Sequence, residues 1–161
     1  MSTANRTESE LERILGEFLP LARQKFNEKF IQEHAEFLRE VGICCRKKAG
    51  NAYEYLITDL LPDYADFLLA LAKQCGEETE YVYENLPLAL VRDHAESLLA
   101  LAKHCREGID VIFGSLDNLP RAQAAEELAL ALRIGKEQGI VFFERYWDNG
   151  FSLKETTLDA V

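Results

Sequence analysis

Cysteine and histidine are the residue types in this chain best suited to chemistry, because both can bind a metal ion and cysteine can act in redox reactions. Cys45, Cys75 and Cys105 lie at equal intervals along the chain. Equivalent points on packed helices are ~8–10 Å apart, whereas zinc holds each sulfur ligand at ~2.3 Å, so these thiols cannot easily share one ion. The chain also has no C-x-x-C, H-x-x-x-H or E-x-x-H pattern. We expect reduced thiols and no bound metal or other cofactor.

Histidine is also the commonest general base in enzymes, and the chain contains three histidines. His34 and His94 each precede an alanine of a repeated pattern, and the two other copies of that position hold Tyr64 and Ala124. A position that accepts His, Tyr or Ala is typical of half-buried packing rather than of catalysis. No serine lies in a Gly-x-Ser-x-Gly setting. The sequence therefore predicts a protein that is not an enzyme.

Two tyrosine pairs suggest a binding surface instead of a catalytic one. Both pairs have the form Tyr-x-Tyr and lie among acidic residues. Residues two apart on a helix point about 200° away from each other, so one tyrosine of each pair should face away from the packed side. A later aromatic segment could extend the same surface. The predicted partner-binding residues are Tyr53, Tyr55, Tyr81, Tyr83, Glu80, Glu84 and Trp147. The alternative is that these aromatic residues simply fill the core.

The distribution of charge indicates what kind of partner such a surface would bind. The formal net charge is −10, and residues 51–100 alone hold 10 Asp/Glu against 2 Lys/Arg. An acidic surface repels nucleic-acid phosphates and anionic lipid heads. We therefore expect neither nucleic acid nor a membrane as partner, and favour a basic protein or peptide that also carries apolar anchors.

A recurring tetrapeptide, acid-x-Leu-Pro, indicates where helices begin. Proline suits the first turn of a helix, and the residue before it is pushed out of the α region, so each tetrapeptide predicts a joint between two helices. The four prolines are Pro20, Pro62, Pro87 and Pro120.

An alanine recurs at a constant interval, each time with a leucine three places later. The alanines are Ala35, Ala65, Ala95 and Ala125. Small residues at equivalent places let neighbouring helices approach closely. The sequence thus predicts an all-α fold, an irregular α-solenoid-like array of about four helical hairpins, each with a short helix and a longer one. A compact multi-helix bundle is the alternative, because the intervals between successive prolines are uneven.

The apolar periodicity and the proline, glycine and cationic stop signals give approximate helix limits. After a first helix ending near Phe18, the predicted helices are 21–48, 52–61, 62–75, 78–86, 87–105, 109–116, 120–138 and 140–147.

The length of the chain is typical of one domain, which we predict to span residues 1–161, with loosely ordered tails at 1–6 and 151–161. No segment reaches the ~18 uninterrupted apolar residues of a membrane helix, and the polar first dozen residues lack the basic and then apolar character of a leader. We expect a cytoplasmic location.

One short stretch resembles a known family. Leu61-Pro62-Asp63-Tyr64 before a leucine-rich helix, with His94 in a later helix, is similar to the Pro-Asp-His/Tyr segment of the all-helical chaperones that mature molybdoenzymes. The N-terminal third of that family is not recognisable, and the recurring tetrapeptide explains the stretch. The size, acidity and helix pairs of the chain are also similar to those of the tetratricopeptide chaperones of type III secretion. The period and residue spacing of the tetratricopeptide repeat are, however, absent from this chain. We assign no family.

These observations together predict a non-enzymatic protein–protein interaction protein: a chaperone, adaptor, inhibitor or assembly subunit that holds a partner segment on an acidic, tyrosine-rich helical surface. The alternative is a metal- or redox-dependent helical protein that uses the cysteines and His34, His94 and His104.

Overall fold

A computed structural model of the chain describes residues 6–104 and 108–138. These residues form nine α-helices joined by turns and short 3₁₀ segments, and no strand occurs among them, which confirms the predicted all-α fold. Several predictions fall outside the described residues: the helix 140–147 with Trp147, the position of Cys105, the tail at 151–161 and the first five residues of the tail at 1–6. The helices are α1 Glu8–Leu15, α2 Leu19–Lys25, α3 Glu28–Cys45, α4 Ala49–Tyr55, α5 Ala65–Cys75, α6 Thr79–Glu84, α7 Leu88–His104, α8 Ile109–Asp117 and α9 Arg121–Gln138.

Residue contacts divide the chain into two compact units, with the boundary after Tyr83. The first unit contains α1 to α5 and nearly all of α6, and the second contains α7 to α9. The prediction of a single domain over residues 1–161 stays a prediction.

In the first unit, long and short helices alternate along the chain. The long helices pack in sequence, α1 on α3 and α3 on α5, while the short helices α2 and α4 pack on each other and on α3. Ala35 and Leu38 of α3 and Leu68 of α5 are fully buried, so the recurring leucines and the first alanine face the core of this unit, while Ala65 is half-buried. Burying each leucine stabilises the unit by about 1.5–3 kcal/mol.

Each long helix of the first unit ends in the same backbone reversal. Gly16, Arg46 and Gly76 have φ of 52°, 53° and 58°, and a 3₁₀ turn of three residues begins at each of them. The three positions are separated by the same interval as the recurring alanines. The N–H of each donates to the carbonyl four residues earlier, which closes the helix. The reversal then directs the following short helix back along the long one.

A second backbone feature recurs with the same period, immediately before the recurring alanines. His34 and His94 have φ near −123° and −132° and kink α3 and α7, while Tyr64, with φ of −114°, precedes α5. The predicted start of a helix at Pro62 is therefore wrong by three residues. Its first residues form a turn, and the helix begins at Ala65.

The predicted helix 21–48 is two helices, with a break at Phe26. Phe26 is extended, with φ of −125° and ψ of 152°. Asn27 then caps α3, because its Oδ1 accepts a hydrogen bond of 2.8 Å from the N–H of Phe30. Asparagine favours this position over the interior of a helix, since its side chain satisfies a donor that the helix cannot.

The prolines lie at joints between elements, as predicted, but they do not follow the period of the alanines. Pro20 lies in the first turn of α2, and Pro87 and Pro120 immediately precede α7 and α9. Pro62 lies in the turn before α5. The period is carried by the buried leucines Leu38, Leu68, Leu98 and Leu128 and, in the first unit, by the backbone reversals.

In the second unit, α7 packs along α9 and α8 contacts both helices. Leu98, Phe113 and Leu128, one from each helix, are fully buried. On the surface, Arg121 of α9 forms an ion pair with Asp93 of α7.

Arg46 occupies a backbone conformation that its two counterparts fill with glycine, so replacing it should stabilise the fold. A non-glycine residue at such a φ lowers the stability of the folded state by roughly 1–3 kcal/mol. Glycine avoids this strain but loses more chain entropy on folding, which costs about 0.5–1 kcal/mol. We expect Arg46→Gly to raise the free energy of unfolding by about 1 kcal/mol in urea titrations.

Gly16→Ala is the matched control, because in the described part of the chain a Cβ on Gly16 would meet no other atom within 4 Å. It should lower the free energy of unfolding by about 1 kcal/mol through its φ alone. Equal stability of both variants and the parent would show that the reversal carries no strain.

Candidate partner-binding surface

Tyr53 and Tyr83, two of the predicted partner-binding residues, belong to the core. Each is 1% exposed. The hydroxyl of Tyr53 donates to the carbonyl of Leu38 over 2.5 Å, and that of Tyr83 donates to the carbonyl of Leu68 over 2.7 Å. Neither side chain is accessible to a partner, so the prediction that these two residues bind one is wrong.

These two tyrosines occupy equivalent positions in successive hairpins. They are separated by the same interval as the leucines that accept their hydrogen bonds, although Tyr53 is the first tyrosine of its Tyr-x-Tyr pair and Tyr83 is the second of its own. Each bond ties a short helix to the long helix before it. Burial raises the pKa of both phenols well above the ordinary value, so both remain neutral donors.

The other tyrosine of each pair, Tyr55 or Tyr81, is more exposed, but the two differ in their exposed fractions. Tyr81 is 42% exposed, and Tyr55 is half-buried. One tyrosine of the second pair therefore faces away from the packed side, as predicted, whereas in the first pair the outer tyrosine is itself half-buried. Tyr81 is one of three large apolar side chains among the described residues that are nearly half exposed, and Ile43 and Leu88 are the others.

Glu80 is buried, which the sequence did not indicate. It is 8% exposed, and its Oε1 accepts a hydrogen bond of 3.2 Å from Nδ2 of Asn51. This bond joins α4 to α6, so Glu80 is part of the packing between two short helices rather than of a solvated surface. Glu84 is exposed at the end of α6 and belongs to the second unit, and Trp147 lies outside the described residues.

The described cysteines lie where the chemistry of thiols is suppressed. Cys45 and Cys75 are buried and Cys44 is half-buried, all as free thiols. Burial raises the pKa of Cys45 to about 11 and also raises that of Cys44, although a hydrogen bond with Thr79 opposes the shift at Cys45. A neutral thiol is a poor nucleophile and metal ligand. In the described ranges, no three His, Cys, Asp or Glu side chains are grouped so that they could hold a metal ion.

Tyr81 is the most exposed of the predicted tyrosines, and it is accompanied by acids on the 3₁₀ turn before it. Glu77 and Glu78 of that turn are exposed, and Tyr81 follows one helical turn later. Neither Glu77 nor Glu78 forms an ion pair within the part of the chain that the structure describes. Residues 56–83 contain six acids and one lysine. We call Glu77, Glu78 and Tyr81 the acidic surface.

Comparisons with known proteins do not add to this picture. No family model, curated protein or solved structure matches the chain. Function is therefore argued from the residues of the chain itself. In the described ranges, no helix is both long and apolar enough to cross a membrane.

The buried tyrosine hydroxyls should contribute measurably to stability. Tyr53→Phe or Tyr83→Phe would leave a buried carbonyl without this donor, and we expect each change to lower the free energy of unfolding by about 1–2 kcal/mol. Tyr64→Phe is the control, since Tyr64 is only half-buried, and the change should alter stability by less than about 0.5 kcal/mol. Urea titrations of the three variants test this. Equal free energies of unfolding in the three variants would contradict the structural role of the two hydrogen bonds.

Stability should fall at alkaline pH because the folded state favours the neutral thiol of Cys45. Its pKa rises from the ordinary 9.0 to about 11, so the stabilisation is complete below pH 9 and is lost as the pH rises through 11. The full loss is roughly 3 kcal/mol. Tyr53 and Tyr83 add to the loss above the ordinary tyrosine pKa of 10.0.

This pH dependence is measured by urea titration between about pH 7 and pH 10.5. The variant Cys45→Ala should be less stable at neutral pH but should lose less stability over the same interval. An identical slope in the parent and the variant would mean that Cys45 does not titrate as a buried thiol.

Proposed function

We propose that this protein is a non-enzymatic protein–protein interaction protein, and that its acidic surface binds a basic partner segment that carries an apolar side chain. The observation that carries this proposal is the exposure of Tyr81, at 42%, beside two exposed glutamates. Roles as a chaperone, adaptor, inhibitor or assembly subunit all use such a surface.

The chemistry of the surface supports this kind of partner. Aromatic side chains supply much of the binding energy at protein interfaces, because they bury a large apolar area while their polar end keeps a hydrogen-bonding group. The glutamates attract a basic segment over a distance of about 8 Å at physiological salt, which speeds association. Tyr81 and the acids should therefore act on different steps of binding.

The burial of the thiols favours binding over redox or metal chemistry. A metal or redox site requires thiolates that can be reached, whereas the pKa of Cys45 is raised and Cys75 is buried. The phenols of Tyr53 and Tyr83 are likewise held neutral by burial.

The proposal is tested by affinity capture at low salt, with the parent and variant proteins immobilised side by side and the captured proteins identified by mass spectrometry. Partners that use the acidic surface should be retained by the parent and lost from Tyr81→Ala and from Glu77→Lys. They should also be released as salt is raised, because salt screens the charges.

Kinetic measurements on the captured partner then separate the two contributions. We expect Glu77→Lys to slow association and Tyr81→Ala to speed release, with a loss of about 2 kcal/mol for the tyrosine. Glu12→Lys, an equal charge reversal at an exposed residue of α1, is the control and should change both rates little. If every captured protein binds Tyr81→Ala and Glu77→Lys as well as the parent, the acidic surface is not the binding site.

A further inference from the structure

A groove of about 470 Å³ lies in the first unit and is lined by none of the residues of the acidic surface. Three apolar side chains and three charged ones line it. They are Glu17, Phe18, Leu21, Ile43, Arg46 and Lys47. We call these six residues the basic groove.

The floor of the basic groove is apolar and is shaped by glycines beneath it. The ring of Phe18 packs on Gly42 of α3 so closely that a Cβ there would lie 2.8 Å from the ring. Leu21 contacts Gly50, where a Cβ would lie 3.4 Å from Cδ2. Ile43 completes the floor and is 48% exposed. This apolar surface therefore remains open to solvent.

The rim carries cations that have no partner in the described part of the chain. Arg46 and Lys47 are exposed, and with the adjacent Lys48 they form the 3₁₀ turn after α3. None of the three forms an ion pair among the described residues. The equivalent turns of the first unit carry Glu17 and Glu77, so the basic turn is specific to this hairpin. Glu17 also lines the groove, whose lining therefore carries two cations and one carboxylate.

Arg46 is retained at this rim although its backbone favours glycine. Its φ of 53° matches that of Gly16 and Gly76 at the equivalent reversals. Strained residues of this kind tend to cluster at functional sites, where the side chain supplies something that stability alone would not select. Here the side chain supplies a guanidinium beside an apolar surface.

We propose that the basic groove binds an acidic segment of a partner protein, in which an apolar side chain enters the floor and neighbouring Asp or Glu carboxylates pair with Arg46 and Lys47. The planar guanidinium can bind a carboxylate through two parallel hydrogen bonds, and lysine adds a mobile charge. The site has the opposite charge to the acidic surface, so the two surfaces would bind different segments. The groove does not depend on the proposed function.

Two features favour a peptide segment over other anionic ligands. Sites for small amphiphiles enclose most of the ligand. The floor of this groove is open, since Ile43 is nearly half exposed, and an open apolar floor suits one side of a larger partner. The three cations of the turn are also fewer than a lipid-binding cluster usually has.

The test is selection of a random peptide library displayed on phage against the full chain, followed by affinity measurements on the enriched peptides. We expect enriched peptides that combine Asp or Glu with Leu, Ile, Phe or Trp. Ile43→Asp and Lys47→Glu should each weaken their binding about tenfold or more, because they remove an apolar contact or reverse a charge at the rim. Binding should also weaken with added salt.

Two variants separate binding from folding. Arg46→Gly should bind these peptides several-fold more weakly while being more stable than the parent, an outcome that loss of structure cannot produce. Lys29→Glu reverses an exposed charge of α3 outside the groove and is the control for Lys47→Glu, so it should bind nearly as the parent does.

Three outcomes would overturn the proposal. One is that no acidic, apolar peptide is enriched. Another is that the enriched peptides bind Ile43→Asp, Lys47→Glu and Arg46→Gly as tightly as the parent. The third is that vesicles of phosphatidylglycerol bind the parent and displace the peptides from it, but do not bind the Lys47→Glu variant. That result would make the groove a lipid site.

Discussion

The backbone reversal at the end of each long helix is the constraint on which the first unit depends. At Gly16, Arg46 and Gly76 the chain takes a positive φ that closes one helix and starts a 3₁₀ turn. The turn fixes where the next short helix lies on the long one. It thereby brings the hydroxyl of Tyr53 to the carbonyl of Leu38 and that of Tyr83 to Leu68. A different reversal would leave both buried phenols without an acceptor.

Contacts between successive short helices follow from the same geometry, but their chemistry changes along the unit. Between α2 and α4, Leu21 lies against Gly50, whereas between α4 and α6 the amide of Asn51 donates to Glu80. The first contact leaves part of the leucine open to the basic groove. The second uses a carboxylate that would otherwise contribute to the acidic surface. Which charges reach solvent therefore depends on helix packing as well as on composition.

The all-α class and the buried face of the long helices could be predicted from the sequence, because alanine and leucine recur at a constant interval at Ala35, Leu38 and their counterparts. The shared Tyr-x-Tyr form suggests that Tyr53 corresponds to Tyr81, whereas the interval between the alanines pairs Tyr53 with Tyr83 and Arg46 with Gly76. The burial of Glu80 could not be predicted, since it depends on Asn51 of a neighbouring helix.

Residues that recur and residues that differ have separate roles in this unit. Buried positions keep their character between hairpins, as when Tyr53 and Tyr83 make the same bond to a leucine carbonyl. The turn after each reversal instead changes sign, with Lys47 at the position of Glu17 and Glu77. Since the backbone of these turns is the same, the change in side chains alters the charge of the surface without changing the path of the chain, although Arg46 then holds a φ that favours glycine. One scaffold thus presents a basic groove and an acidic surface on neighbouring turns.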